Sequence, residues 1–253
     1  MAALHPRLPL QTFRRLFTTL ALAALAATRS IAIDIPREHQ REEGTRLAAH
    51  LRSQRPAENL TNSGTLRIRD ASGRRRELPV IITTSTEADS WTVRYEARSR
   101  TNTPVESLTV HFTTDTPPRY ESTVPDSVTP SVQPFAGTDF WRCDLGLEFL
   151  HWPDQRMVKQ ELSNGRMCWA LDSYNPGTNG YASVRSWVDT EFQALLRAEA
   201  YDSIRRKVKE FSTGSFRQIT TREGREIWML KDIRIRDEFR DTRTELIYDV
   251  PAE

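Results

Sequence analysis

Asp144 and Glu148 stand four residues apart in the stretch Thr138-Asp-Phe-Trp-Arg-Cys-Asp-Leu-Gly-Leu-Glu-Phe-Leu-His-Trp152. On a helix that spacing puts both carboxylates on one face. It is the pairing an acid-base hydrolase of the glycosidase type would use. A solvated stripe, or contact with a nearby arginine, is the simpler account, and a hydrolase is the last of three readings. His39, His50, His111 and His151 are scattered, without His-x-x-x-His or His-Glu-x-x-His spacing, so metalloprotease chemistry has no support. His111 falls on the polar side of its strand and reads as solvated; His151, beside Trp152 at a helix end, reads as a cap. No Gly-x-Ser-x-Gly is present. The loop Asn175-Pro-Gly-Thr-Asn-Gly180 lacks the Lys-Ser/Thr and following helix of a phosphate cradle, and reads as a hairpin loop. Cys143 and Cys168 form no Cys-x-x-Cys or Cys/His cluster, so no zinc ligand set exists. They read as unpaired core thiols, with a disulfide as the alternative. The expectation is a non-catalytic protein without cofactor or metal.

The aromatic residues carry the stronger signal. Trp91, Tyr95, Phe112, Phe140, Phe149, Trp152 and Trp169 all fall on apolar faces. Core packing accounts for any one of them. Taken together, Trp91, Val93, Tyr95, Leu108, Val110 and Phe112, with Phe140, Leu145 and Phe149, would line an apolar cavity for an acyl chain. Such a ligand gains about 0.8 kcal/mol per buried methylene and needs few polar contacts. A separate basic cluster, Arg74-Arg75-Arg76 with Arg67 and Arg69 nearby, is either a solvated hairpin or a contact for anionic head groups.

Period-two alternation dominates the elements that must position these residues. It marks 66–69, 91–98 and 108–113, and further strands at 79–84, 157–162, 166–172, 182–189, 194–201, 206–211, 226–230, 232–236 and 244–250. Turn signals separate them: Asp70-Ala-Ser-Gly73, Asn164-Gly165, Thr213-Gly214 and Glu223-Gly224. Strands at hairpin spacing make an antiparallel meander, because parallel crossovers need long intervening helices. Two helices are expected, over 37–53 and 138–152, the second capped by Thr138 and apolar round most of its circumference, hence buried. Prolines at 117, 118, 125, 130 and 134 make the segment before it a loop or an extended crossing. Two helices are few for so many strands, so the sheet is expected to curl around them.

The chain has 253 residues, with 36 Lys+Arg against 34 Asp+Glu. That near-neutral balance argues against a general nucleic-acid binder. The first residues form a separate object. Arg7, Arg14 and Arg15 precede an apolar block from Leu16 to Ala27, with Ala24-Leu-Ala26 as an exit and Ser30-Ile-Ala32 as a second candidate. This is the pattern of a secretory signal peptide over residues 1–26, with cleavage as late as 32. Arg14-Arg15 leaves Sec and twin-arginine export both open. Removing 1–26 leaves 33 basic residues against 34 acidic, a formal charge of −1. Residues 34–250 are expected to form one domain, with no later membrane span.

The stretch Phe135-Ala-Gly-Thr-Asp-Phe-Trp-Arg-Cys-Asp-Leu145, followed by Phe149-Leu-His-Trp-Pro153, resembles the bacterial outer-membrane lipoprotein-sorting family (LolA-like). Gly165-Arg-Met-Cys-Trp-Ala-Leu-Asp-Ser173 resembles its strand before a proline-containing loop. Ser186-Trp-Val-Asp189 and Arg197-Ala-Glu-Ala-Tyr-Asp202 resemble a hairpin with an exposed Asp turn; 227–235 and 244–249 resemble its last strands. The likeness is good over 135–250 and loose over 37–112. It implies a mainly β, α+β fold: a strongly curled antiparallel sheet forming a half-open β-barrel, with two or three helices covering the concave side. It further implies a monomeric periplasmic carrier of a lipid or of lipoprotein acyl chains, implicated in outer-membrane lipoprotein sorting, with secretion as the alternative location. Membrane-associated partner proteins fit that reading; nucleic acid does not. A periplasmic interaction module with a solid core is the second reading.

Overall fold

The computed structural model describes residues 32–220 and 226–249. The signal-peptide reading of 1–26, both cleavage candidates save for Ala32, and the Glu223-Gly224 turn lie outside the described residues. The strands are β1 (Ile33–Asp34), β2 (Leu60–Arg69), β3 (Arg75–Thr86), β4 (Ser90–Arg98), β5 (Pro104–Thr113), β6 (Arg119–Ser122), β7 (Asp154–Ser163), β8 (Arg166–Tyr174), β9 (Ser183–Asp189), β10 (Leu195–Tyr201), β11 (Lys207–Thr213), β12 (Phe216–Thr220), β13 (Glu226–Leu230), β14 (Asp232–Asp237) and β15 (Thr242–Tyr248). Thirteen make one antiparallel sheet in the order β1-β7-β8-β9-β10-β11-β14-β15-β2-β3-β4-β5-β6; β12 and β13 pair as a separate ribbon. The meander expected from the turn signals is therefore present, with β1 and β6 added to it; 226–230, expected as one of its strands, pairs instead with the additional strand β12. β6 falls inside the proline-rich stretch. It is four residues long at the sheet edge, in the proline-free interval between Pro118 and Pro125.

Helix α1 (Arg37–Ser53) matches the expected bounds. It buries Gly44, Leu47 and Ala48, and its Gly44 lies so close to β7 that an added Cβ would sit 2.6 Å from the backbone of Gln155 and Arg156. The expected helix over 138–152 does not form. Its place is taken by 3-10 turns at Phe135–Gly137 and Glu148–His151 and a four-residue helix α2 (Arg142–Leu145). Leu147 has φ 48°, a left-handed conformation that ends any helix. Thr138 does not cap; its hydroxyl donates to the Phe135 carbonyl at 2.7 Å. The cap is Asp144, whose carboxylate accepts the Trp141 N–H at 2.8 Å.

Apolar residues gather in two clusters on one face of the sheet. Leu47 and Ala48 of α1 pack with Phe149, Leu150, Met157, Leu171, Val184 and Val188. Leu66, Leu78, Val80, Leu108, Val110, Phe135, Phe140 and Ile235 form the other. Phe211, on β11, touches both. The opposite face carries a small cluster of Cys168, Trp187 and Leu196. Both cysteines are free and buried, as expected.

The end of α1 meets several strand ends at once. Arg52 donates to the Thr114 carbonyl beyond β5 at 3.2 Å, and Gln54 to the Gln193 carbonyl in the β9–β10 turn at 3.0 Å. Arg55 donates to the Glu87 and Ala88 carbonyls in the β3–β4 turn.

Candidate functional site

The nine residues expected to line a cavity are mostly brought together. Val93, Tyr95, Leu108, Val110, Phe112, Phe140 and Leu145 share one apolar cluster. Trp91 joins it by stacking on Phe112 at 5.2 Å between ring centres, and Phe149 lies in the neighbouring cluster. Phe135 adds a ring 6.0 Å from Tyr95.

Residues 135–152 lie over this face, and polar contacts fix them to it. The Ala136 N–H donates to Glu106 of β5 at 2.6 Å, and Arg76 of β3 donates to the Ala136 and Gly137 carbonyls. Asp139 accepts from Thr242 and Thr244 of β15, the latter at 2.7 Å. Arg142, wholly buried, donates to Asp126 at 2.6 Å and lies 3.8 Å from Glu106. Glu148 accepts the Tyr120 hydroxyl of β6 at 3.1 Å. Arg52 of α1 donates to the Leu150 carbonyl at 2.5 Å.

The centre of this array is Lys209, on β11, with 2% of its side chain exposed. Its Nζ donates to the Asp139 carbonyl at 2.6 Å, lies 3.4 Å from Asp144, and sits 3.7 Å above the Trp141 ring. Trp141 stacks on Tyr181 at 4.8 Å, and the Tyr181 hydroxyl donates to Asp144 at 2.9 Å. Burial lowers the Lys209 pKa while Asp144 opposes it. Burial and Asp144 push the Tyr181 hydroxyl up. Burial, helped by Asp144 and Glu148, pushes the Cys143 thiol up, so that thiol is unreactive.

Asp144 and Glu148 are therefore neither a solvated stripe nor arginine partners. Asp144 is held by a lysine, a tyrosine and a backbone amide, and Glu148 by a second tyrosine. Glu148 is held above its usual range, first by burial and then by Asp144, while Tyr120 lowers it. Two carboxylates so engaged are not disposed about an open cleft. Asp189, expected at an exposed turn, is 1% exposed and paired with Arg166. It accepts the N–H groups of Glu191 and Phe192, which closes the β9–β10 turn from inside. His111 lies on the outer face, 3.3 Å from Glu121.

Lys209, Glu106, Arg142, Asp139 and Tyr181 escaped the sequence reading. One signal was available: Lys209 shares the strand face of Phe211, two residues on, and a lysine on an apolar face needs a partner.

The hollow beneath this node, bounded by Asp144, Leu147, Phe149, Tyr181, Lys209 and Phe211, holds about 20 Å³. That is room for one water; ligand pockets run to roughly 300–1,000 Å³.

A family model described as that of an uncharacterized protein matches residues 118–251, more than half of the chain. The chain belongs to that family. Its fold is LolA-like. It is similar to a DUF1329 family protein from Desulfovibrio piger, at 15% identity over 85% of this chain and 95% of the other, with a TM-score of 0.67. A domain named for outer membrane lipoprotein sorting, from Vibrio parahaemolyticus, gives 17% identity over 84% and 94%, again with a TM-score of 0.67. A LolA superfamily protein from Nitrosomonas europaea gives 12% identity over 83% and 92%, with a TM-score of 0.52. No curated protein matches the sequence. At such identities the likeness is one of fold. Among the described residues no helix is long and apolar enough to cross a membrane.

Proposed function

We propose that residues 34–250 form one exported, periplasmic, non-catalytic carrier domain that binds lipid or lipoprotein acyl chains on the inner face of a curled, half-open sheet, after loss of residues 1–26. The hairpin contacts of α1 support the curl. Five inter-strand steps separate β10 from β3, about 24 Å on a flat sheet. Yet Gln54 and Arg55, adjacent in the chain, reach the turns at the ends of both.

The observation that carries the carrier reading is the cover on that face. Residues 135–152 fill it with irregular turns, not with a continuous helix, and they attach both by apolar packing of Phe135, Phe140, Phe149 and Leu150 and by discrete polar contacts. Ala136 at φ 50° and Leu147 at φ 48° hold left-handed backbone without being glycine. Each stores roughly 1–2 kcal/mol, which lifting the segment would release. In this reading the 20 Å³ interior is the closed state, and an acyl chain takes the space that Phe140, Leu145 and Phe149 now occupy. If the open state is about 1% populated, affinity falls about 100-fold from its intrinsic value.

The same small interior favours a second reading, an interaction module with a solid core. Native mass spectrometry of protein from cells, with displacement of an apolar fluorescent probe by fatty acids, separates the two. Co-purified lipid and competitive displacement are expected of a carrier. An intact fold showing neither removes the carrier reading and leaves the solid module.

A further inference from the structure

We propose that the outer face of β14, β15, β2 and β3 docks this protein on an anionic phospholipid bilayer. The sheet register places Arg236 opposite Arg243, Arg243 opposite Arg69, and Arg69 opposite Arg75. Four arginines therefore stand in one line across four adjacent strands, about 14 Å from end to end at the usual strand spacing. All four are exposed. One step inward the face is compensated: Arg67 meets Glu77 at 3.0 Å, and Glu245 lies 3.5 Å from both Arg234 and Arg243. At the outer end of the line, Arg69 and Arg75 have no ion pair or side-chain hydrogen bond among the described residues. Arg74 and Arg240, in the two turns that close this same end, are 85% and 65% exposed, each beside an aspartate of its own turn region, Asp70 at 3.0 Å and Asp237 at 3.9 Å.

Like charges directly opposite across strands are destabilising. Arg236 is offset by Asp241 at 3.1 Å and Glu238 at 3.6 Å, and Arg243 by Glu245 at 3.5 Å, but nothing among the described residues offsets Arg69 and Arg75. An external anion would. A bilayer presents phosphates in a plane, and a row fixed on paired strands is planar over its short length. Arginine engages phosphate through two parallel N–H groups. The chain without residues 1–26 carries a formal charge of −1, so the row is a local feature and not part of a generally basic surface, which nucleic acid would select. This inference does not rest on the carrier reading; it uses the opposite face of the sheet.

The test is co-sedimentation of the protein recovered from cells with vesicles of phosphatidylcholine alone or mixed equally with phosphatidylglycerol. Each arginine near an anionic surface strengthens binding roughly five-fold. The variant Arg69→Gln/Arg75→Gln should therefore bind mixed vesicles about 25-fold more weakly, with an unchanged melting temperature. Arg94→Gln, on the outer face of β4, should bind as the parent does. Raising the salt should weaken binding of the parent more than of the double variant. Three results overturn the proposal: equal binding to both vesicle types, equal weakening by Arg94→Gln, or tighter binding of the row to duplex DNA than to mixed vesicles. Probe displacement by fatty acids is read separately, so failure here leaves the carrier test standing.

Discussion

Replacing Lys209 by Met should loosen the segment over the apolar face more than any other single polar change. The substitution keeps most of the side-chain volume and removes the charge. It deletes the bond to the Asp139 carbonyl at 2.6 Å, the pair with Asp144 at 3.4 Å and the cation over Trp141 at 3.7 Å. Removing one partner of a buried pair costs about 3–5 kcal/mol, because the other charge stays buried. Asp144 keeps the Tyr181 hydroxyl and the Trp141 N–H, so the lower half of that range applies. For a domain of this size it corresponds to a fall in melting temperature of roughly 6–16 °C. Urea unfolding of parent, Lys209→Met, Asp144→Asn and the double variant gives the cycle. The two changes should couple by about 1–3 kcal/mol, since once the lysine is gone the carboxylate is a liability. A single loss below about 1 kcal/mol, or additivity within about 0.5 kcal/mol, refutes the central role of this node. In the carrier reading the same variant, at temperatures well below its transition, should also bind fatty acid more tightly, because the closed state is penalised.

Gly44→Ala should destabilise although alanine favours helices by about 1 kcal/mol, because its Cβ would sit 2.6 Å from the β7 backbone; a rise in melting temperature would contradict the packing of α1. Phe140→Ala should cost about 3–5 kcal/mol in urea unfolding, since its ring is 2% exposed in the cluster with Leu108 and Val110; a loss under 1 kcal/mol would mean the site collapses or is already open. His151 is held down to about 4, first by burial and then by Arg52. Its folded pKa is thus below the ordinary value near 6.5, so the stability it contributes is complete above 6.5 and is lost as pH falls towards 4. Melting temperatures of the parent and of His151→Gln should converge across that window, and parallel curves would count against this assignment. Cys143 should resist a thiol reagent at pH 8 in the folded state and react at once in urea; rapid labelling of the native protein would show that the segment opens readily.

Most of the sheet was legible in the chain. Alternation in 91–98 and 108–113 names the inward residues Trp91, Val93, Tyr95, Leu108, Val110 and Phe112, because a strand has a strict period of two and one face must be dry. Helix α1 was equally plain, its apolar stripe repeating at the helical period. The segment 138–152 misled for a reason of the same kind. It is apolar round most of its circumference because much of it is buried, and burial of that sort fits an irregular segment as well as a helix. What breaks it is the left-handed turn at Leu147 and the reach of its polar groups to β5, β6, β11, β15 and α1, neither of which has a local sequence signal.

By itself the sequence determined which residues turn inward, where the chain reverses, and that a near-neutral polypeptide with many strands and few helices must cover its apolar face. It could do so because each of these depends on neighbours a few residues away. Only the tertiary structure decided that Lys209 meets Asp144 across 65 residues, that the inner face is already filled, and that four arginines from four strands fall into line. Those are matters of register and closure, and register is set by the whole sheet at once.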